Sequence, residues 1–450
     1  MAPRPLAPPL DRTGTPVPDP PYDRRRAWLI TAMIVAFMVV NFADKSVLGL
    51  AAVPIMDELA IDNSTYGLVS SAFSLLFSLS GLLVGFLSTR LSTRILLFAM
   101  TLLWAVAQLP VLLSATVPAL IAGRALLGAA EGPAASMSMH ALYKWFPPHR
   151  RGLPSALQIG GAALGTLIAA PVLTWLITGY GWRSAFAALA AVSALWGLLW
   201  WRVGHDGPFD HARAAPADGT PGTGPHHLPY GRLLTTGTVL GSISSAFGAA
   251  WALSLSQAWL PAYLRTELGM TPNAAATTIS AVSAFSLVLL LTVSPLMDAL
   301  KSRRVSSRWS TGATQGIAVC VAGCAMAAFP LTHAAVPRLL LIALAFGSVG
   351  LAIPLHYMTT AEVVPSAQRG ALFGIVAATG TLPGLLAPFL TGRLLDTAPD
   401  PGTGYRTAFL LAALVMTTAG ALAIITIRPE HDARRLGLRP DREPGAPGRP

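Results

Sequence analysis

Twelve apolar runs of roughly twenty residues, separated by short polar connections, dominate this sequence and restrict its fold more than any other feature. A helix of about 20 residues at about 1.5 Å per residue spans the roughly 30 Å hydrocarbon core of a bilayer. No water is available there to satisfy backbone N–H and C=O groups, so runs of this kind fold as helices. Only 11% of the residues are charged and 53% are hydrophobic, whereas a globular domain carries about 25% charged residues. The fold class that follows is an all-α polytopic membrane protein with 12 transmembrane helices.

The runs fall near 27–53, 65–88, 95–114, 117–143, 153–178 and 184–202, then 233–264, 273–298, 311–330, 336–360, 369–391 and 406–427. Between the sixth and seventh lies a Gly/Pro/His/Asp-rich stretch without helical periodicity. The expected organisation is therefore a six-helix half over 27–203, a linker over 204–232 and a second six-helix half over 233–428. Two six-helix halves are the usual construction of a secondary transporter. Residues 1–26 and 429–450, rich in Pro and Arg, read as disordered tails. The first apolar run starts too late for a cleavable signal peptide and is expected to stay as a membrane helix.

The net charge of +11 does not imply nucleic acid, because the positive residues sit between the apolar runs. With the N-terminus inside, only Arg183, Arg265, Arg338, Arg393 and Arg406 fall in outer loops, and Lys45 and Arg124 fall inside the membrane. The other 24 of the 31 Lys and Arg lie on the cytoplasmic side. An odd number of helices would put about half of these charges on the wrong side. The expectation is a multi-pass protein of the cell membrane with both termini in the cytoplasm, the lipid bilayer as its surroundings and no nucleic-acid partner.

Charges inside hydrocarbon are costly and usually functional. Asp44 and Glu131 are the acids lying deep in apolar runs, and Lys45 and Arg124 accompany them. Arg124 and Glu131 are seven residues apart and so share one face of the fourth helix, roughly 10 Å apart along its axis. The depths of the first and fourth runs allow all four groups to line one cavity, with Asp44 facing Arg124. A static Asp44–Arg124 bridge that only pins two helices together is the structural alternative. Asn41, Gln158, Gln257, His356 and Tyr357 are further polar candidates for substrate contact. For His140 and His356 a helix-packing role is the competing reading. Trp259 and Tyr263 fit either an interfacial aromatic belt or substrate contact.

No nucleophile elbow, phosphate-cradling loop or metal-spaced His/Cys cluster is present, so neither enzyme nor cofactor is expected. The two cysteines, Cys320 and Cys324, stack on one helix face and read as small thiols rather than a disulfide or metal site.

Several stretches together resemble the anion:cation symporter branch of the major facilitator superfamily. They are Asn41-Phe-Ala-Asp44-Lys45, Arg124-Ala-Leu-Leu-Gly-Ala-Ala-Glu131-Gly-Pro133, the Trp145-Phe-Pro-Pro-His-Arg-Arg151-Gly loop, Gly181-Trp-Arg-Ser-Ala-Phe186 and Trp259-Leu-Pro-Ala-Tyr263-Leu. The resemblance implies the major facilitator fold, a carrier that works as a monomer, and proton-coupled symport of a small organic anion. It implies that Arg124 holds the anion and that Asp44 and Glu131 carry protons. The physics agrees: a guanidinium stays charged and grips a carboxylate through two parallel hydrogen bonds. Lys45 stands where the family commonly has arginine, which keeps the charge and loses the planar fork.

Phe77, Ala162 and Ala377 replace polar pocket positions of the sugar-acid carriers, and His140 replaces a basic one, so a less polar monocarboxylate is expected. The resemblance also marks Arg90, Arg94 and Asp298 as gating residues in the loops after the second and eighth helices. Thr89 removes the acid that the first of these loops normally carries. In the fifth helix Thr166 replaces the proline of an efflux signature, which favours symport over the alternative, proton-driven efflux of a small molecule.

Overall fold

Several of the apolar runs begin where a polar side chain caps a helix, and several break beside a proline. The computed structural model describes residues 23–87, 91–147, 150–209, 228–303, 306–365 and 368–438. The first six segments are α1 (Arg24–Leu50, continued by Ala52–Leu59), α2 (Asn63–Leu87), α3 (Thr93–Leu113), α4 (Val117–Glu131 and Ala134–Tyr143), α5 (Gly152–Tyr180) and α6 (Trp182–Val203). In the second six, α7 is Gly237–Ala258 and Leu260–Thr266, and α8 is Pro272–Ser302. A π-turn, Arg308–Ala313, opens α9, which continues as Thr314–Ala328 and a 3₁₀ turn, Phe329–Leu331. α10 is Ala335–Gly347 and Ala352–Glu362 joined by a 3₁₀ turn; α11 is Arg369–Gly380 and Leu382–Thr397; α12 is Pro401–Thr426. Among the described residues there is no strand.

Asp23, Ser92, Thr116, Thr236 and Asp400 accept the free N–H groups of α1, α3, α4, α7 and α12, which fixes where those helices start. Among the described residues, nine helices are long and apolar enough to cross a membrane. The other three segments are α2, α4 and α11. α4 breaks at Gly132-Pro133, because proline has no N–H and clashes with the preceding turn. α11 breaks at Thr381, before Pro383.

Four of the breaks fall in two pairs, while that of α11 has no counterpart in the continuous α5. α1 is interrupted at Ala51 and α7 at Trp259, each near its second end. α4 and α10 are both interrupted near mid-length. Interruptions at corresponding places in two halves mark the substrate region of a transporter.

The first six segments pack together through α1 on α5, α2 on α4 and α3 on α6, and the last six through α9 and α7 on α12. The two sets meet where α2 packs on α11 and α5 on α8. Many large apolar side chains, Leu75, Leu83, Trp175, Leu198 and Leu291 among them, face outward, as expected of helices solvated by lipid. Call the end of the bundle with the loops after α1 and α7 the distal end, and the opposite one the terminal end. Among the described residues, the side-chain hydrogen bonds between the two sets are central or distal. Asn63 and Ser64 of α2 bond Asp396, Tyr66 bonds Ala258, and Ser280 bonds Leu167.

The tail was expected to be disordered from 429, but it forms a helix, Pro429–Arg435. Its acids serve as remote caps: Asp432 Oδ2 accepts from Thr238 N and Oγ1 (2.8 and 2.6 Å), and Glu430 Oε1 accepts from Ser307 N (2.9 Å). Carboxylates at helix N-termini are stabilising, and this order was invisible in composition. The first helix likewise begins at Arg24, inside the expected N-terminal tail, of which 1–22 lie outside the described residues. The expected linker is ordered at both ends, where Lys144 pairs with Asp206 (3.3 Å) and the Gln368 amide clamps the Leu228 backbone. Its middle, 210–227, lies outside the described residues.

Candidate functional site

The four membrane-buried charges lie together, but only Lys45 and Arg124 line a cavity rather than all four as expected. Glu131 ends the first part of α4, where Pro133 stops the helix, and is 1% exposed. Its ion-pair partner is Lys45, with Nζ 3.4 Å from Oε2. Lys45 Nζ also donates to Asn41 Oδ1 one turn earlier on α1 (2.8 Å). Asp44, fully buried, accepts from Gln108 Nε2 of α3 (2.9 Å). Arg124 reaches the same residue through the main chain, its NH1 donating to Asp44 O at 3.3 Å. In place of the static Asp44–Arg124 side-chain bridge weighed as the structural alternative, there are a Lys45–Glu131 pair and an Asp44–Gln108 hydrogen bond. Successive residues on a helix point about 100° apart, so Asp44 turns to α3 while Lys45 turns to α4.

Aromatic faces support both cations. Arg124 lies over Phe73 (4.8 Å to the ring centroid), and Lys45 lies over Phe42 and Phe77 (4.4 and 5.4 Å). Phe73 can sit there because α2 and α4 touch backbone to backbone. A Cβ on Gly128 would stand 1.8 Å from Phe73 O, so only glycine allows this approach.

A cavity of about 30 Å³ lies between the two helix sets, lined by Lys45 and Arg124 together with Ser70, Ser74, Ser254 and Gln257. Tyr66 closes it distally, with its hydroxyl between Leu48 O (3.2 Å) and Ala258 O (3.1 Å). Around it several buried polar atoms have no hydrogen-bond partner among the described residues: Arg124 Nε, Asp44 Oδ2, Glu131 Oε1, Asn41 Nδ2 and Ser70 Oγ. Such atoms are rare in folded proteins, and a cluster of them marks a place built to meet something else.

Of the residues singled out from sequence, Lys45, Arg124 and Gln257 line the cavity, and Asn41, Asp44 and Glu131 stand immediately behind. Gln158 does not join them; its amide donates to Ser138 Oγ (2.9 Å) and ties α5 to α4. His356 is buried, with Nδ1 3.2 Å from Ala352 O of its own helix, and its ring packs on Tyr357, which meets Phe373. Trp259 is neither belt nor cavity wall. It is fully buried, donates to Pro388 O (2.9 Å) and packs edge-on against Tyr66.

Arg94 engages Trp201 of α6 through its carbonyl and ring, inside the first helix set. Arg90 and the side chain of Asp298 lie outside the described residues. Both cysteines are free.

Sequence reading missed Gln108, Phe73, Tyr66 and the three serines. Ser70 and Ser74 are spaced i,i+4 on one face of α2, and Ser254 and Gln257 i,i+3 on α7, so polar spacing inside apolar runs was the available signal. The hydroxyls also weaken the expectation of a ligand poor in hydrogen-bonding groups.

A strand-free bundle with interrupted helices, buried charges at its centre and lipid-facing leucines defines a polytopic transporter. The family model described as Major Facilitator Superfamily matches residues 33–308 and 243–448, and the chain belongs to that family of transporters, which are not enzymes. It is 26% identical over 404 residues to the hexuronate transporter of Bacillus subtilis (strain 168), covering 87% of this chain and 92% of that one. It is 26% identical over 432 residues to the D-galactonate transporter of Escherichia coli O6:H1, covering 92% and 97%. The fold is that of a D-xylose–proton symporter crystal structure, with a TM-score of 0.72 at 16% identity, covering 89% of this chain and 98% of that one.

Proposed function

We propose that this protein imports a small organic anion together with protons, by alternating access of the two helix sets around the Lys45/Arg124 cavity. The carrying observation is that two membrane-buried cations line one cavity while one of them, Lys45, is held by a carboxylate. An incoming carboxylate competes with Glu131 for Lys45. Protonation of Glu131 removes that competitor and frees the ammonium, so proton and anion bind together rather than separately. Arg124, with unpartnered Nε, supplies a planar fork for the same carboxylate. Asp44, beside it, is the second proton site. Ser70, Ser74, Ser254 and Gln257 offer hydrogen bonds to the rest of the ligand, which suits an organic acid carrying hydroxyls; relatives are named for hexuronate and D-galactonate.

In this reading the loop charges put the terminal end, and with it both termini, on the cytoplasmic side of the cell membrane. The structure's closed distal end is then the outer gate, and the carrier works as a monomer. The test is uptake into proteoliposomes of a panel of sugar acids and simple carboxylates under an imposed proton gradient. Wild type should accumulate one of them; Arg124→Ala should not, and Glu131→Gln should lose accumulation while keeping exchange. Accumulation that survives Glu131→Gln would remove Glu131 as a proton site.

A further inference from the structure

A second cavity lies distal to the first and is larger, about 180 Å³, lined by Leu50, Pro54, Thr174, Ile177, Pro261 and Arg265 among others. It belongs to the same seam. α1 and α7 line the central cavity with Leu48 and Gln257, and the distal one with Leu50 and Pro261. What separates the two is the contact between these helices at Gly49, where a Cβ would stand 1.8 Å from Gln257 O. Leu48 and Leu50 flank Gly49 directly, so one helical turn of backbone is the partition.

The distal cavity carries a single charge, Arg265. The guanidinium is half-buried and, among the described residues, has no hydrogen-bond or ion-pair partner. The nearby acids are engaged elsewhere or face away: Glu58 takes Arg183 and Trp182, Asp57 is exposed, and Glu267 faces Asp400. The other walls are apolar apart from Thr174 and Thr178, and the Thr178 hydroxyl donates to its own helix at Thr174 O. A lone cation on an apolar wall next to a closed partition suits an anion that has not yet reached the central site.

We propose that this cavity is a staging site for the transported carboxylate, with Arg265 as the group that holds it while the Gly49–Gln257 contact is closed. This rests on the anion-import reading above. Arg265 adds a local positive field that raises the capture rate, and the ligand passes on when α1 and α7 part.

The experiment is uptake from the distal side into proteoliposomes, using the panel member that wild type transports best, with Arg265→Gln and Ala275→Phe beside wild type. Ala275 is on the cavity wall and 2% exposed, so phenylalanine there fills the space without touching the charge. Expected is a KM raised about three- to tenfold in both variants, with the maximal rate retained. In Arg265→Gln the dependence of KM on salt should also flatten. Exchange measured with substrate on the terminal side should be unchanged. An unchanged KM in Arg265→Gln while wild type transports overturns the staging site and leaves the import reading intact. So does a KM change that appears only in vesicles with anionic lipid and vanishes in pure phosphatidylcholine, which assigns the cavity to a lipid headgroup. If wild type takes up no member of the panel, the import reading itself falls.

Discussion

Lys45 and Glu131 form an ion pair in the membrane core, Nζ to Oε2 at 3.4 Å, with the two side chains 11% and 0% exposed. Removing one partner of such a pair costs about 3–5 kcal/mol, because the other charge is left buried and uncompensated. Removing both costs far less. Lys45→Met and Glu131→Gln should each lower the thermal unfolding temperature in detergent, and the double variant should regain much of the loss. Strict additivity of the two would show that they are not coupled. Lys45→Arg keeps the charge and is expected to keep the stability.

How much of this was legible beforehand depends on the range of the interaction. The helices were readable because hydropathy is local; the break after Glu131 was read as part of one continuous run, 117–143, although Pro133 carried a local signal for it. The convergence of Asp44, Lys45, Arg124 and Glu131 could be reasoned from depth alone. Which cation meets which acid could not, because Asp44 and Lys45 are adjacent and only the rotation of α1 decides which of them faces α4. Gln108 was missed for the same reason: its value lies in an acid 64 positions away. The tail read as disordered because Asp432 finds its partner, Thr238, 194 positions earlier. Short-range chemistry appears in composition and spacing, and long-range capping does not.

Gly49 tests the closing movement. A Cβ there would meet a main-chain oxygen, Gln257 O, at 1.8 Å, and neither helix backbone can yield as a side chain would. Alanine is the better helix former by about 1 kcal/mol, so Gly49→Ala should not weaken α1 itself. The variant is expected to fold, to fail to close distally and to transport at a small fraction of the wild-type rate. Labelling of a cysteine at Ser70 by a membrane-impermeant thiol reagent should become faster in it. Labelling as slow as in the parent would show that the two helices can close around the methyl group.

Tyr66 contributes to the same closure through one hydroxyl shared between Leu48 O and Ala258 O. Tyr66→Phe keeps the ring against Trp259 and removes the one O–H that the two carbonyls share. A neutral hydrogen bond is worth about 1 kcal/mol, which shifts the closed-to-open ratio about fivefold. Ser70→Cys labelling should rise by about that factor in the phenylalanine variant, with unfolding temperature nearly unchanged. A large fall in stability with unaltered labelling would make the hydroxyl a packing feature instead.

Asp396 clasps the distal end. Its carboxylate accepts from Asn63 N and Nδ2 (3.1 and 2.9 Å) and from Ser64 N (2.7 Å) and Oγ, so α11 caps the start of α2 across the two helix sets. Burial alone would raise its pKa, but these hydrogen bonds outweigh it and hold the carboxyl below the ordinary value. A depressed carboxylate contributes its full stabilisation above the unfolded value of about 3.9 and loses it only as pH falls through the lower folded value. The clasp is therefore constant between about pH 5 and 8, where Glu131 or Asp44 would have to provide any proton dependence. Because the group is exposed, Asp396→Asn should cost only about 1 kcal/mol of closure, roughly a fivefold shift toward the distally open state. Spin labels at Asp57 and Thr397 should report a longer distance population in Asp396→Asn, and the ratio of wild-type to variant uptake should stay flat across that pH range. A ratio that bends between pH 5 and 8 would mean that Asp396 itself titrates during transport.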